Sequence, residues 1–173
     1  MKSKTGPRSF ADFEQAEALR MQSCDKCVVR NADVISLQDT LLWSGRIYAE
    51  NCTIAGNVDF IWGTGAAYFK SCEIKTLGRA GWNVQARNGA STYGYVFVDS
   101  NLTADPGVTG VTGQGLARID DGVYPASHVA YIHCTMGKHI APGCAIRPWC
   151  SPAGSRRSVN TVRSATTVRG IHR

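Results

Sequence analysis

No run of about eighteen apolar residues occurs in this 173-residue chain, so no stretch is built to cross a bilayer as a helix. Acidic residues are missing from both ends: residues 1–10 carry only Lys2, Lys4 and Arg8, and residues 145–173 carry six arginines and no acid. The formal charge of +6 therefore sits in the termini, because residues 11–144 hold ten basic and thirteen acidic side chains. A basic groove for nucleic acid is excluded from the body on that count. An apolar leader is also absent from Met1–Phe10, which predicts an intracellular chain or one whose start lies upstream. Histidine is scarce, at four residues, and Cys24-Asp25-Lys26-Cys27 has neither a second CxxC nor a histidine at ligand spacing, so no metal site is expected. Helical periodicity is confined to Phe10–Met21, a stretch read here instead as the remnant of an earlier coil with Leu19 and Met21 inward.

What the chain does have is a repeat. Val29-Arg30-Asn31-Ala32-Asp33-Val34, Ala49-Glu50-Asn51-Cys52-Thr53-Ile54, Phe69-Lys70-Ser71-Cys72-Glu73-Ile74, Val98-Asp99-Ser100-Asn101-Leu102 and Ile132-His133-Cys134-Thr135-Met136 share one pattern of polar and small residues followed by an aliphatic one. The small residues are spaced by 20, 20, 28 and 34 positions. Short β-rich runs at about 20 residues per turn predict an all-β solenoid of stacked coils, a parallel β-helix. Cys52, Cys72 and Cys134 then form an inward ladder of small, soft side chains. The CxxC is read as a coil corner or an incidental pair. Two stretches rich in Gly, Asn, Asp and Pro, 78–90 and 104–126, read as long loops leaving the coil. The expected organisation is a non-native or disordered end over 1–9, a β-helix over 10–146 incomplete at both ends, and an unpatterned basic tail over 147–173.

Two carboxylates stand out in this frame. Asp39 lies eight residues after Asn31 and Asp59 eight after Asn51, so the period places them in register on neighbouring coils. Strands stack about 4.8 Å apart. Like charges so close resist ionising together, which pushes one carboxyl toward its protonated form and makes an acid and a nucleophile from one residue type. Gln38 offers an uncharged amide for a developing oxyanion. Trp43, Trp62 and Phe60 offer flat apolar surface for a sugar ring.

Gln38-Asp39-Thr40-Leu41 followed by Gly56-Asn57-Val58-Asp59-Phe60-Ile61-Trp62-Gly63 resembles the paired signature of the pectin methylesterase family, with Trp62 where the family has Phe. Gln15-Ala16-Glu17-Ala18-Leu19 is similar to the segment before the first motif, and Leu116-Ala117-Arg118 to the family's Leu-Gly-Arg. The resemblance implies a right-handed parallel β-helix and a cofactor-free, metal-free esterase acting on methyl-esterified homogalacturonan. It assigns Asp59 as nucleophile, Asp39 as acid and then base, Gln38 and Gln15 as the oxyanion hole, and Arg118 as the cation that keeps Asp59 ionised; Arg79, eight residues after Ser71, and Arg87 are the fallback cations. It also implies a secreted monomer acting at the cell wall, without nucleic-acid or membrane partners. Asn51-Cys52-Thr53 and Asn101-Leu102-Thr103 are acceptor sequons. Ile119-Asp120 replaces the family's Pro-Trp, removing an aromatic platform and adding a carboxylate. The competing expectations are an inactive or polysaccharide-binding homologue and a related esterase for another acyl group.

Overall fold

A computed structural model describes residues 15–78, 80–107, 110–120, 122–141 and the strand 146–148. Among them there is no helix; the chain winds as stacked coils of parallel strands. The first coil holds β1 (Leu19–Arg30) and β2 (Asp33–Ile35), the second β3 (Leu41–Glu50) and β4 (Thr53–Gly56). The third holds β5 (Ile61–Gly63), β6 (Ala66–Lys70) and β7 (Glu73–Thr76). The fourth holds β8 (Trp82–Ala86), β9 (Tyr95–Val98) and β10 (Asn101–Ala104), and the fifth β11 (Gly115–Ile119), β12 (Val129–Ile132) and β13 (Thr135–Met136). A last strand, β14 (Ile146–Pro148), continues the face formed by β5, β8 and β11. The long strands β1 and β3 run through two faces, bending near Gly45, whose Cβ would lie 1.9 Å from the Cys24 carbonyl oxygen.

The repeat seen in the sequence is a repeated corner. Asn31, Asn51, Ser71, Asp99 and His133 all take φ between 50° and 53°, the left-handed turn that ends one face and starts the next. Asn and Asp tolerate that conformation best among residues with a side chain. The small residue after each corner turns inward. The Sγ atoms of Cys52, Cys72 and Cys134 donate to the carbonyl two residues earlier at 3.3–3.4 Å, and Ser100 Oγ does the same at 3.0 Å. Behind them Val34, Ile54, Ile74, Leu102 and Met136 form one aliphatic column through strand register. Asn51 Nδ2 also donates to Asn31 Oδ1 across the coils at 2.7 Å. Asn51→Ala is therefore expected to lower stability by about 1–2 kcal/mol, through the left-handed φ and the lost hydrogen bond, as a denaturant midpoint shift at constant m.

Two expectations change. Cys24 and Cys27 are joined as a disulfide where β1 bends between two faces, with left-handed φ at Ser23 and Lys26, so the CxxC is the expected coil corner and not an incidental pair. The stretches 78–90 and 104–126 are not loops throughout, since β8 and β11 lie inside them; their alternating Trp82-Asn83-Val84-Gln85-Ala86 and Gly115-Leu116-Ala117-Arg118-Ile119 runs pair with each other. The segment before β1 runs alongside the second coil, with Ala16 N donating to Gln38 O and Ala18 N to Thr40 O. Leu19 and Met21 pack against the core, as expected of a coil. The predicted end over 1–9 and most of the predicted tail lie outside the described residues.

Candidate active site

The two carboxylates sit at a second coil corner, built in the same way as the first. Asp39 has φ 57° and Asp59 φ 48°, so the backbone turns at each of them before entering β3 and β5. Gln38 bridges Val58 and Leu41 pairs with Ile61, which puts Asp39 and Asp59 in register on adjacent coils. Glu17, in the segment just before β1, brings a third acid near Asp39 and pushes its carboxyl up.

The pair differs in burial and in partners. Asp59 is 3% exposed, and Arg118 Nη2 donates to its Oδ2 in an ion pair. Asp59 Oδ1 is buried and accepts no hydrogen bond among the described residues. Burial pushes the Asp59 carboxyl up to about 6; Arg118 opposes this and Asp39 adds to it. Arg118 is therefore beside Asp59 as expected, but desolvation outweighs the guanidinium, so Asp59 is not held ionised at low pH. Asp39, half-buried, is also raised, first by desolvation, with Arg87 opposing and Glu17 reinforcing.

A cavity of about 500 Å³ opens over Asp39, lined by Gln15, Ala16, Glu17, Asp39, Trp62 and Arg87. Gln15, Asp39 and Trp62, named from the sequence, meet there. Gln38 lies beside Asp39 on the bridge to Val58. Trp43 and Phe60 do not reach the cavity. At 1% and 0% exposure they are core residues, Trp43 stacked on Phe69 with centroids 5.0 Å apart, so their assignment to the sugar surface is corrected. The reason is local. The left-handed turn at Asp59 interrupts strand alternation, so Phe60 and Ile61 both point inward and Trp62 is the side chain left facing out.

Register carries the face across three further coils. Leu42, Trp62, Gln85 and Arg118 form one column. Gln85 was missed because it sits in a Gly- and Asn-rich stretch, although the alternation of 82–86 marks a strand. Its Oε1 accepts from Arg87 Nη2 at 2.6 Å. Arg87 stacks over Trp62 at 4.6 Å from the ring centroid. Arg79 lies outside the described residues. Asp120 does not enter the site: its Oδ1 accepts from the backbone N–H of Gly122 and Val123, closing a turn. Among the described residues no three His, Cys, Asp or Glu side chains converge as a metal centre requires.

Fold and site together define a parallel β-helix with paired carboxylates, a guanidinium on the more buried one, and an open cavity beside them. The pectinesterase family model matches residues 3–155, and the chain belongs to that family, one of carboxylic ester hydrolases. It is 28% identical over 180 residues to a pectinesterase of Ralstonia solanacearum, covering 83% of this chain and 44% of that protein. It is 34% identical over 93 residues to pectinesterase 31 of Arabidopsis thaliana, covering 53% and 29%. Among solved structures, a pectin methylesterase from Yersinia enterocolitica superposes with TM-score 0.68 at 30% identity, covering 80% of this chain and 49% of that one. The chain spans about half or less of the length of these relatives.

Proposed function

We propose that this site hydrolyses methyl esters of galacturonate units in pectin by covalent aspartyl catalysis, releasing methanol. The observation that carries the reading is the pair Asp39 and Asp59 held in register on adjacent coils with Arg118 bonded to the more buried member. Asp59, once ionised, attacks the C6 ester carbonyl. The oxyanion that develops takes hydrogen bonds from the amides of Gln38 and Gln15. As it collapses, the C–OCH3 bond breaks and methoxide takes the proton of Asp39, leaving a mixed anhydride between Asp59 and the galacturonate carbonyl. Asp39, now a carboxylate, removes a proton from water, which attacks the anhydride. The products are free galacturonate and Asp59, with the proton back on Asp39.

Burial raises both carboxyls and Asp59 the more strongly, so the free pair holds its proton on Asp59, and the division of labour rests on bound polymer moving that proton to Asp39. Two raised carboxyls on adjacent coils titrate as a pair. The guanidinium on Asp59 favours charge there, and polymer bound over Asp39 excludes water, which holds its proton to higher pH. Pectin as substrate places the action at the cell wall, outside the cell.

Methanol release from highly methyl-esterified pectin tests the reading. Activity is expected to rise with pH through about 6 as Asp59 ionises. Gln38→Ala is expected to lower kcat about 10²-fold with KM little changed. A folded sample that releases no methanol, while hydrolysing short acyl esters or only binding pectin, overturns it.

A further inference from the structure

Beyond the bend at Gly45, on the face formed by the later parts of β1 and β3 with β6 and β9, the solenoid carries a groove of about 430 Å³. Its floor is low because small residues meet there: Arg46 of β3 pairs with Ala66 of β6, and Ala67 N donates to Gly94 O at 3.0 Å. One wall is the outward column of Tyr48, Tyr68 and Val96, with the two tyrosine rings stacked 5.8 Å apart. Tyr93, 87% exposed, and Val28, 56% exposed, also border it. The solvent side of a sheet is ordinarily polar, and a connected apolar patch there marks a place where something binds.

The mouth of the groove is basic. Lys26 and Arg46 line it and no acid does. Arg46 is already engaged, its Nε and Nη2 donating to Asp25 at 2.5 and 2.7 Å. Lys26 is in no ion pair among the described residues. Its backbone is fixed by a left-handed φ of 58° and by the Cys24–Cys27 disulfide that closes over it. The groove therefore offers one available cation at the edge of an apolar floor, which matches a monoanion with a flat apolar body. A sugar polymer does not match, because its hydroxyls would face walls without hydrogen-bonding partners. The chain's own ends do not match either, since residues 1–10 and 145–173 are basic and hold no acid.

We propose that this groove is a second ligand site, for a small aromatic carboxylate whose ring lies over Ala66 and Gly94 against Tyr68 and Tyr93 and whose carboxylate meets the Lys26 ammonium. The volume falls within the range of small-molecule sites, about 300–1,000 Å³. Burial of the ring supplies affinity, the tyrosines favour an aromatic body over an aliphatic one, and the charge pair sets the orientation. The site lies on a different face from Asp39 and Asp59 and does not depend on the esterase reading.

Calorimetry and amide chemical shifts with cinnamate as the probe test it. Cinnamate is expected to bind with a sub-millimolar Kd, shifting the amides of Ala66 and Gly94 and leaving those of Asp39 and Trp62 in place. The neutral cinnamamide and the aliphatic hexanoate should each bind about tenfold more weakly. Lys26→Gln should weaken cinnamate about tenfold and leave cinnamamide unchanged. Ala66→Leu, which raises the floor, should abolish binding of both at an unchanged melting temperature. No binding of cinnamate below about 10 mM, equal affinity for cinnamate and cinnamamide, or shifts centred on Asp39 and Trp62 would each overturn the proposal. So would a dimer that Ala66→Leu splits and that cinnamate does not touch, since the groove would then be an interface between copies of this chain.

Discussion

Asp59→Asn is expected to remove methanol release, lowering kcat by at least about 10⁴-fold, and at the same time to make the protein more stable at neutral pH. The first effect follows from the loss of the attacking oxygen. The second follows from the direction of the titration. Asp59 is raised in the folded protein from 3.8 to about 6, so the folded state keeps a proton that the unfolded chain has already lost. A carboxyl raised in this way favours folding fully below about 4, and that advantage is lost as pH rises through about 6. The span corresponds to roughly 3 kcal/mol. Asparagine keeps the shape and an oxygen for Arg118 but never carries the charge. The variant should melt on the order of 5 °C above the parent at pH 8, with the gap closing toward pH 4. Equal melting temperatures at both pH values would show that Asp59 carries no such cost.

Phe69→Ala should produce the largest loss of stability. Phe69 is fully buried and stacks on Trp43 at 5.0 Å, on Phe97 at 4.4 Å and against Tyr95 at 6.4 Å, while Phe97 stacks in turn on Tyr131 at 4.7 Å. These rings belong to coils two to five, so removing one takes out a contact on both sides of the third coil. Truncating a buried phenylalanine costs about 3–5 kcal/mol. A solenoid is held together mostly by its nearest-neighbour interfaces, so the loss also uncouples the coils on either side. The expected result is a large drop in the urea midpoint or a broadened, two-step transition. Phe69→Leu should retain most of the burial and lose about 1 kcal/mol of ring stacking. A loss below that of the leucine variant in Phe69→Ala would mean the stack does not join the coils.

The coils were legible in the sequence because the corner needs specific chemistry. Asn31 and Asn51 are there for a left-handed φ, and Ala32, Cys52, Cys72, Ser100 and Cys134 because the inside of the corner admits only a small side chain. The same counting placed Asp39 and Asp59 side by side. Arg118 was reached through a family motif, not through the period. What stayed hidden was the direction of individual side chains around a corner. Trp43 and Phe60 look like exposed aromatics in sequence, yet each sits where the strand bends or turns and alternation fails. Gln85 and the strand around it were obscured by neighbouring glycines and asparagines, composition that marks loops in general but here borders a strand only five residues long. Glu17 shows its place only in the folded chain, on the wall of the cavity over Asp39.

The left-handed turn shared by Asp39 and Asp59 fixes more than their neighbourhood. Because the backbone makes the same left-handed turn at Asp39 and Asp59 on successive coils, the gap between the two backbones is a repeat distance of the stack. The coils beyond can lengthen or shorten the excursions between their strands, as the growing spacings of the corner residues show, without altering that gap. Loop length and the two turns are mechanically decoupled, so the loops around the cavity can lengthen while the stack holds Asp39 and Asp59 at the same backbone spacing.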